Sequence, residues 1–274
     1  MKLIVAGSAL LLFLSSNAMA QWAKTPDNSI PRTRDGKPDL TAKAPLARDG
    51  KPDLSAVWQP DLVPDELPKG IQTVESISEN FAVPRYFLDV TAGIPLAETP
   101  LQPATIATFL ANLQSEGKND PVAHCKPTGV PAINNEPIPL KIVQTEKLIL
   151  ILYEDSSVFR QVFLDGRKTV ADPQPRWMGY STGKWEGDTL VVESTGFTDK
   201  SWLDRIGHTH SEAMRVTERF RRKDVGHLEI AVTIDDPKTF TKPIQYTQKA
   251  TVVPDEDLLE YFCTENEKDT SQYR

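Results

Sequence analysis

The sequence predicts a mostly β protein, an antiparallel meander closing into a lipocalin-like β-barrel, with one helix and a long irregular N-terminal region. Two observations predict it. From Ile138 onward the apolar pattern has a period of two, and short strand-like runs follow one another without βαβ alternation. About nine such strands in chain order suffice to close a barrel and remove its edges. A β-sandwich is the alternative.

Taking the elements in order, residues 1–20 read as a cleavable secretory signal. Lys2 supplies the positive start, Leu3 to Leu14 an apolar stretch too short to span a bilayer, and Ala18-Met19-Ala20 a cleavage site after Ala20. The expected location is therefore periplasmic or secreted, with no membrane span after cleavage. Removing 20 of the 274 residues leaves 254, and because Lys2 is the only charge removed, the net charge goes from −7 to −8. That acidity argues against nucleic acid and anionic membrane surfaces as partners.

Residues 21–56 read as an extended, poorly packed arm. They carry a tandem repeat, Arg34-Asp35-Gly36-Lys37-Pro38-Asp39-Leu40 returning as Arg48-Asp49-Gly50-Lys51-Pro52-Asp53-Leu54. Residues 57–274 are expected to form one barrel domain, opening with a strand near Val57-Trp58. A helix is predicted over Pro103 to Gly117, with Ile106, Phe109, Leu110 and Leu113 on one core-facing side. Strands follow at 140–145, 147–153, 157–164, 179–186, 188–195, 211–222, 227–235, 240–252 and 258–263. The two cysteines, Cys125 and Cys263, favour a disulfide in an oxidising compartment over a catalytic thiol or a metal ligand.

The stretch Gly183-Lys184-Trp185-Glu186-Gly187-Asp188-Thr189-Leu190-Val191-Val192 resembles the signature of a poorly characterised family of secreted bacterial proteins. Cys125-Lys126-Pro127-Thr128-Gly129, Asp165-Gly166-Arg167, His210-Ser211-Glu212 and Glu260-Tyr261-Phe262-Cys263 fit the same pattern, and the resemblance covers most of residues 50–268. It implies no particular chemistry. Ala56 stands before Val57-Trp58 where that family usually has Gly. The small-x-Trp opening is also similar in outline to lipocalin-like barrels, which implies an internal pocket for small apolar ligands.

Candidate chemistry concentrates between Asp204 and Arg222. If a strand begins at Ser211, Glu212, Met214, Val216, Glu218 and Phe220 share the inner face, since side chains alternate. A carboxylate among apolar groups must be paired or take up a proton, and either state suits acid–base work. His210, Glu212 and Glu218 are thus the catalytic candidates. Extending the same parity back to His208 would give a His208, His210, Glu212 set suited to zinc or another transition metal. Arg160 lies on an apolar strand face and is an equally good partner for Glu218 in a buried ion pair. Tyr180, Trp185 and Tyr261 could line a pocket with Arg160 as substrate-binding residues.

Neither a nucleophile elbow nor a phosphate loop, dinucleotide fingerprint, haem motif or His-Glu-x-x-His is present. The resulting expectation is a cofactor-free enzyme of lyase, hydratase or isomerase type acting on a small apolar or aromatic molecule. The alternatives are a small-ligand binding protein that leaves its guest unaltered, and a metal-dependent hydrolase.

Overall fold

The structure is a computed structural model, and it describes residues 26–64, 82–169 and 173–263. The signal segment lies outside the described residues. Among the described residues, nine strands close a barrel: β1 (Ala56–Pro60), β4 (Leu140–Gln144), β5 (Leu148–Tyr153), β6 (Phe159–Phe163), β7 (Tyr180–Glu186), β8 (Thr189–Thr195), β9 (Arg215–Arg222), β10 (His227–Asp235) and β11 (Ile244–Val252). Closure occurs through β1, which pairs antiparallel with both β4 and β11. The barrel, not the sandwich, is the fold. A separate hairpin pairs β2 (Leu62–Pro64) with β3 (Ala82–Pro84).

The alternation that predicted the strands builds the core. Ile149, Ile151 and Tyr153 on β5, Val216, Glu218 and Phe220 on β9, and Leu228, Ile230, Val232 and Ile234 on β10 all point inward and are buried. Trp58 is fully buried, donates its indole N–H to the Leu54 carbonyl at 3.0 Å, and lies 4.9 Å from the Arg222 guanidinium.

Four expectations need correction. First, the meander is not wholly antiparallel: β6 and β7 run parallel and pair only at Val162–Ser181 and Phe163–Thr182. A parallel neighbour requires a crossover, and the chain between these strands supplies it. Second, residues 258–263 form no strand, and β9 begins at Arg215, not Ser211. Third, the helix α1 (Pro103–Gln114) buries Phe109, but Ile106 and Leu110 are each 43% exposed. α1 therefore presents a narrow contact instead of a core stripe.

Fourth, the N-terminal arm, although mostly exposed over residues 31–50, is locally structured and anchored to the barrel at a few points. Each repeat makes the same small hairpin: Gly36 and Gly50 donate to Thr33 and Ala47, and Asp39 and Asp53 donate to Pro31 and Pro45. Equivalent sequence produces equivalent local bonds. Gly226 and Val225 then donate to the carbonyls of Leu40 and Ala42, while Ile30 and Leu54 are buried. Cys125 and Cys263 are at disulfide distance, with Cα atoms 5.6 Å apart.

Candidate functional site

Three polar or aromatic constellations are candidates. Inside the barrel, Arg160 on β6 meets Glu218 on β9. Arg160 Nη1 lies 3.2 Å from Glu218 Oε1, and Nη2 contacts Oε2. Its remaining donors go to Ser181 at 3.0 Å and Ser194 at 2.8 Å, and Asn134 donates to Glu218 at 2.7 Å. Tyr153 donates to Asn134 Oδ1 at 2.9 Å. Burial by itself would lower the guanidinium pKa, but Glu218 overrides it and holds the group firmly charged. Burial pushes the Tyr153 phenol upward, so it remains a donor. A buried pair satisfied this fully is a closed network with no proton to offer.

The second constellation is the loop between β8 and β9, seated under α1. Asp204 organises it by accepting from the backbone N–H groups of Val90, Gly207 and His208 and from His208 Nδ1 at 2.5 Å. Gly207 has φ +108° and a Cβ there would sit 2.5 Å from Asn112 Cβ, so glycine lets the loop press against the helix. Phe109 stacks on His208 with ring centroids 4.2 Å apart. Burial would depress His208, but Asp204 and, more distantly, Asp89 raise its pKa. Asp89, Asp204 and His208 could each offer one ligand atom within 4.8 Å of the others. Asp204 accepts from four donors and Asp89 from Thr91, His208 Nδ1 faces Asp204, and His208 Nε2 is buried with no partner among the described residues, so the group stands as a carboxylate–imidazole couple.

His210 turns elsewhere. Its Nδ1 lies 3.2 Å from the Ser211 carbonyl, which can only accept, so Nδ1 carries the proton and Nε2 accepts from Ser201 Oγ at 2.9 Å. Burial lowers its pKa, leaving a neutral imidazole. Arg205 on the same loop binds Asp120 at 3.2 Å and Glu136, with Thr128 donating to Glu136 at 3.2 Å. Burial, partly offset by Arg205, lifts the Glu136 carboxyl to about 7. Asp120, Glu136, Ser201 and Arg205 border a cavity of only about 10 Å³, the scale of a single water.

The third constellation is a cleft of about 450 Å³ at the β6–β7 seam. Its origin is topological. Residues 176–179 are held by the segment that follows β8, through Arg176 N to Gly196 O at 2.9 Å and Thr198 N to Arg176 O at 3.0 Å, and not by β6. The two chains therefore part above their short pairing. Gly179, at φ +63°, passes so close to Phe197 that a Cβ would lie 2.5 Å from the ring. Phe159, Phe163, Trp177 and Tyr180 wall the cleft, with Arg160 in its floor and Arg176 at its side.

The structure therefore separates residues the sequence grouped. His210, Glu212 and Glu218 share no partner. Glu212 is exposed on a turn because Asp236 binds both Ser211 N at 2.6 Å and Ser211 Oγ at 2.7 Å, and that turn breaks the strand parity. For the same reason His208, His210 and Glu212 do not converge on a metal: His208 turns to Asp204 and His210 to Ser201. Arg160 and Tyr180 both line the cleft. Trp185 packs against the core cluster, and Tyr261 is 46% exposed. Sequence reasoning passed over Ser201, Asp204, Arg205, Glu136 and Trp177, although Asp204 and Arg205 open the segment that drew attention. No family model, curated protein or solved structure matches the chain.

Proposed function

We propose that this protein binds a small aromatic or apolar molecule in the β6–β7 cleft and releases it unaltered. The observation that carries the reading is the contrast between two sites. The cleft has aromatic walls and a volume suited to a small ligand, whereas the ionisable groups inside the barrel are already paired. Export, read from residues 1–20, agrees with a cysteine pair at bridging distance. No helix among the described residues is long and apolar enough to cross a membrane.

Proton-transfer catalysis (elimination, hydration or isomerisation) is the second reading, and Glu136 favours it. A carboxyl titrating near neutrality beside Arg205 can give or take a proton at working pH. Mass spectrometry of the molecule that co-purifies with the protein from its own source decides between the two. A guest recovered intact after incubation supports binding. A guest converted by the protein, with conversion lost in Glu136→Gln, supports catalysis and overturns the carrier reading.

A further inference from the structure

We infer that the ligand of the β6–β7 cleft is an aromatic anion, a planar ring carrying a carboxylate or similar group, with Arg176 as its charge partner. The inference rests on the binding reading of the same cleft and adds the ligand's chemical class.

The argument begins with charge. The chain as a whole is acidic, at −7, yet the cleft lining contains two arginines and neither Asp nor Glu. The two cations differ in kind. Arg160 is neutralised by Glu218 and its donors are consumed by Ser181 and Ser194. Arg176 is exposed, and its guanidinium has no ion pair or hydrogen bond with any described residue. A planar guanidinium with free donors is shaped for two parallel hydrogen bonds to a carboxylate.

Position supports the same assignment. The Arg176 backbone is fixed on both sides by Gly196 and Thr198, so its side chain projects from a held point beside Trp177. Phe159, 58% exposed, offers an apolar surface on the β6 side. Phe163 is less available for stacking, because the Arg167 guanidinium lies 3.8 Å over its ring. That arrangement places a ring between the Phe159 and Trp177 walls, with its acid group towards Arg176. The tilted Phe163–Tyr180 pair, 5.5 Å between centroids, also lines the cleft.

Isothermal titration of the full-length exported protein with 2-naphthoate and its uncharged counterpart 2-naphthamide tests the inference. Naphthoate should bind at least about tenfold more tightly than the amide, as expected of one charge-assisted hydrogen-bonding partner. Arg176→Gln should erase that preference while leaving naphthamide affinity unchanged, and Trp177→Ala should weaken both. The Arg176 side chain bonds no described residue, so an unchanged melting temperature will show that the variant is intact. Equal affinity for the two probes, or a preference surviving in Arg176→Gln, overturns the anion assignment alone. Binding of neither probe overturns the binding reading beneath it.

Discussion

Arg160 and Glu218 face each other across the barrel interior from β6 and β9, with side chains 1% and 0% exposed. Their pairing joins strands 58 residues apart in sequence. Removing one partner strands a charge where water cannot reach it. Glu218→Gln should therefore destabilise the protein by about 3–5 kcal/mol, and the apolar double replacement Arg160→Met with Glu218→Leu should cost less than the single change. Urea unfolding of the three proteins checks this. A double replacement costing as much as Glu218→Gln alone would contradict it.

Glu136 predicts a pH dependence of stability. Its carboxyl titrates at about 7 in the fold against 4.5 as its ordinary value. The folded state therefore binds more protons than the unfolded between these values, and stability falls as pH rises through that window. The groups facing it are Arg205, Thr128, Asp120 and Asp155. In Glu136→Gln the fall between pH 5 and pH 7 should flatten, as read by thermal unfolding across that range. An unchanged slope would place the titration on another group.

His208 acts in the same direction at its own position. Its raised pKa means that its contribution is fully present below the ordinary imidazole value near 6.5 and is lost as pH rises through the folded value. Asp204→Asn removes the carboxylate that holds the proton and also weakens the acceptor for three backbone N–H groups. A loss of more than about 2 kcal/mol is expected, as for a broken buried hydrogen-bond network. Slower backbone exchange, or no change, at Val90, Gly207 and His208 in that variant would contradict the role given to Asp204.

Much of the barrel was legible because alternation is a local property. Ile149-Ile151-Tyr153 and Val216-Glu218-Phe220 declare their inner faces within a few residues, and the same rule put Arg160 and Glu218 on facing surfaces. The misplacement of Glu212 has a non-local cause: the carboxylate of Asp236, 25 residues away, turns Ser211 out of the strand. The cleft was illegible for a related reason. It exists because β7 joins β6 in parallel while residues 176–179 attach to the segment after β8, and no periodicity in the segment around Trp177 encodes those attachments. Tyr180 lies on β7, and Trp177 lies in the loop before it.

Gly179 makes that attachment possible. Gly179→Ala forces a side chain into left-handed backbone, costing about 1–2 kcal/mol, and directs the new methyl group at Phe197. The segment carrying Trp177 and Arg176 must then shift. A lower melting temperature together with weaker 2-naphthoate binding is expected. Unimpaired binding in a destabilised variant would show that the cleft does not depend on this close approach.

The most direct measurement maps the ligand on the backbone. On adding 2-naphthoate to the ¹⁵N-labelled protein, amide shifts should concentrate in residues 158–163 and 176–181, the two sides of the β6–β7 seam. Shifts centred on the loop carrying Ser201 to His210, or no shifts at millimolar probe, would contradict the account that the open parallel seam is the binding site.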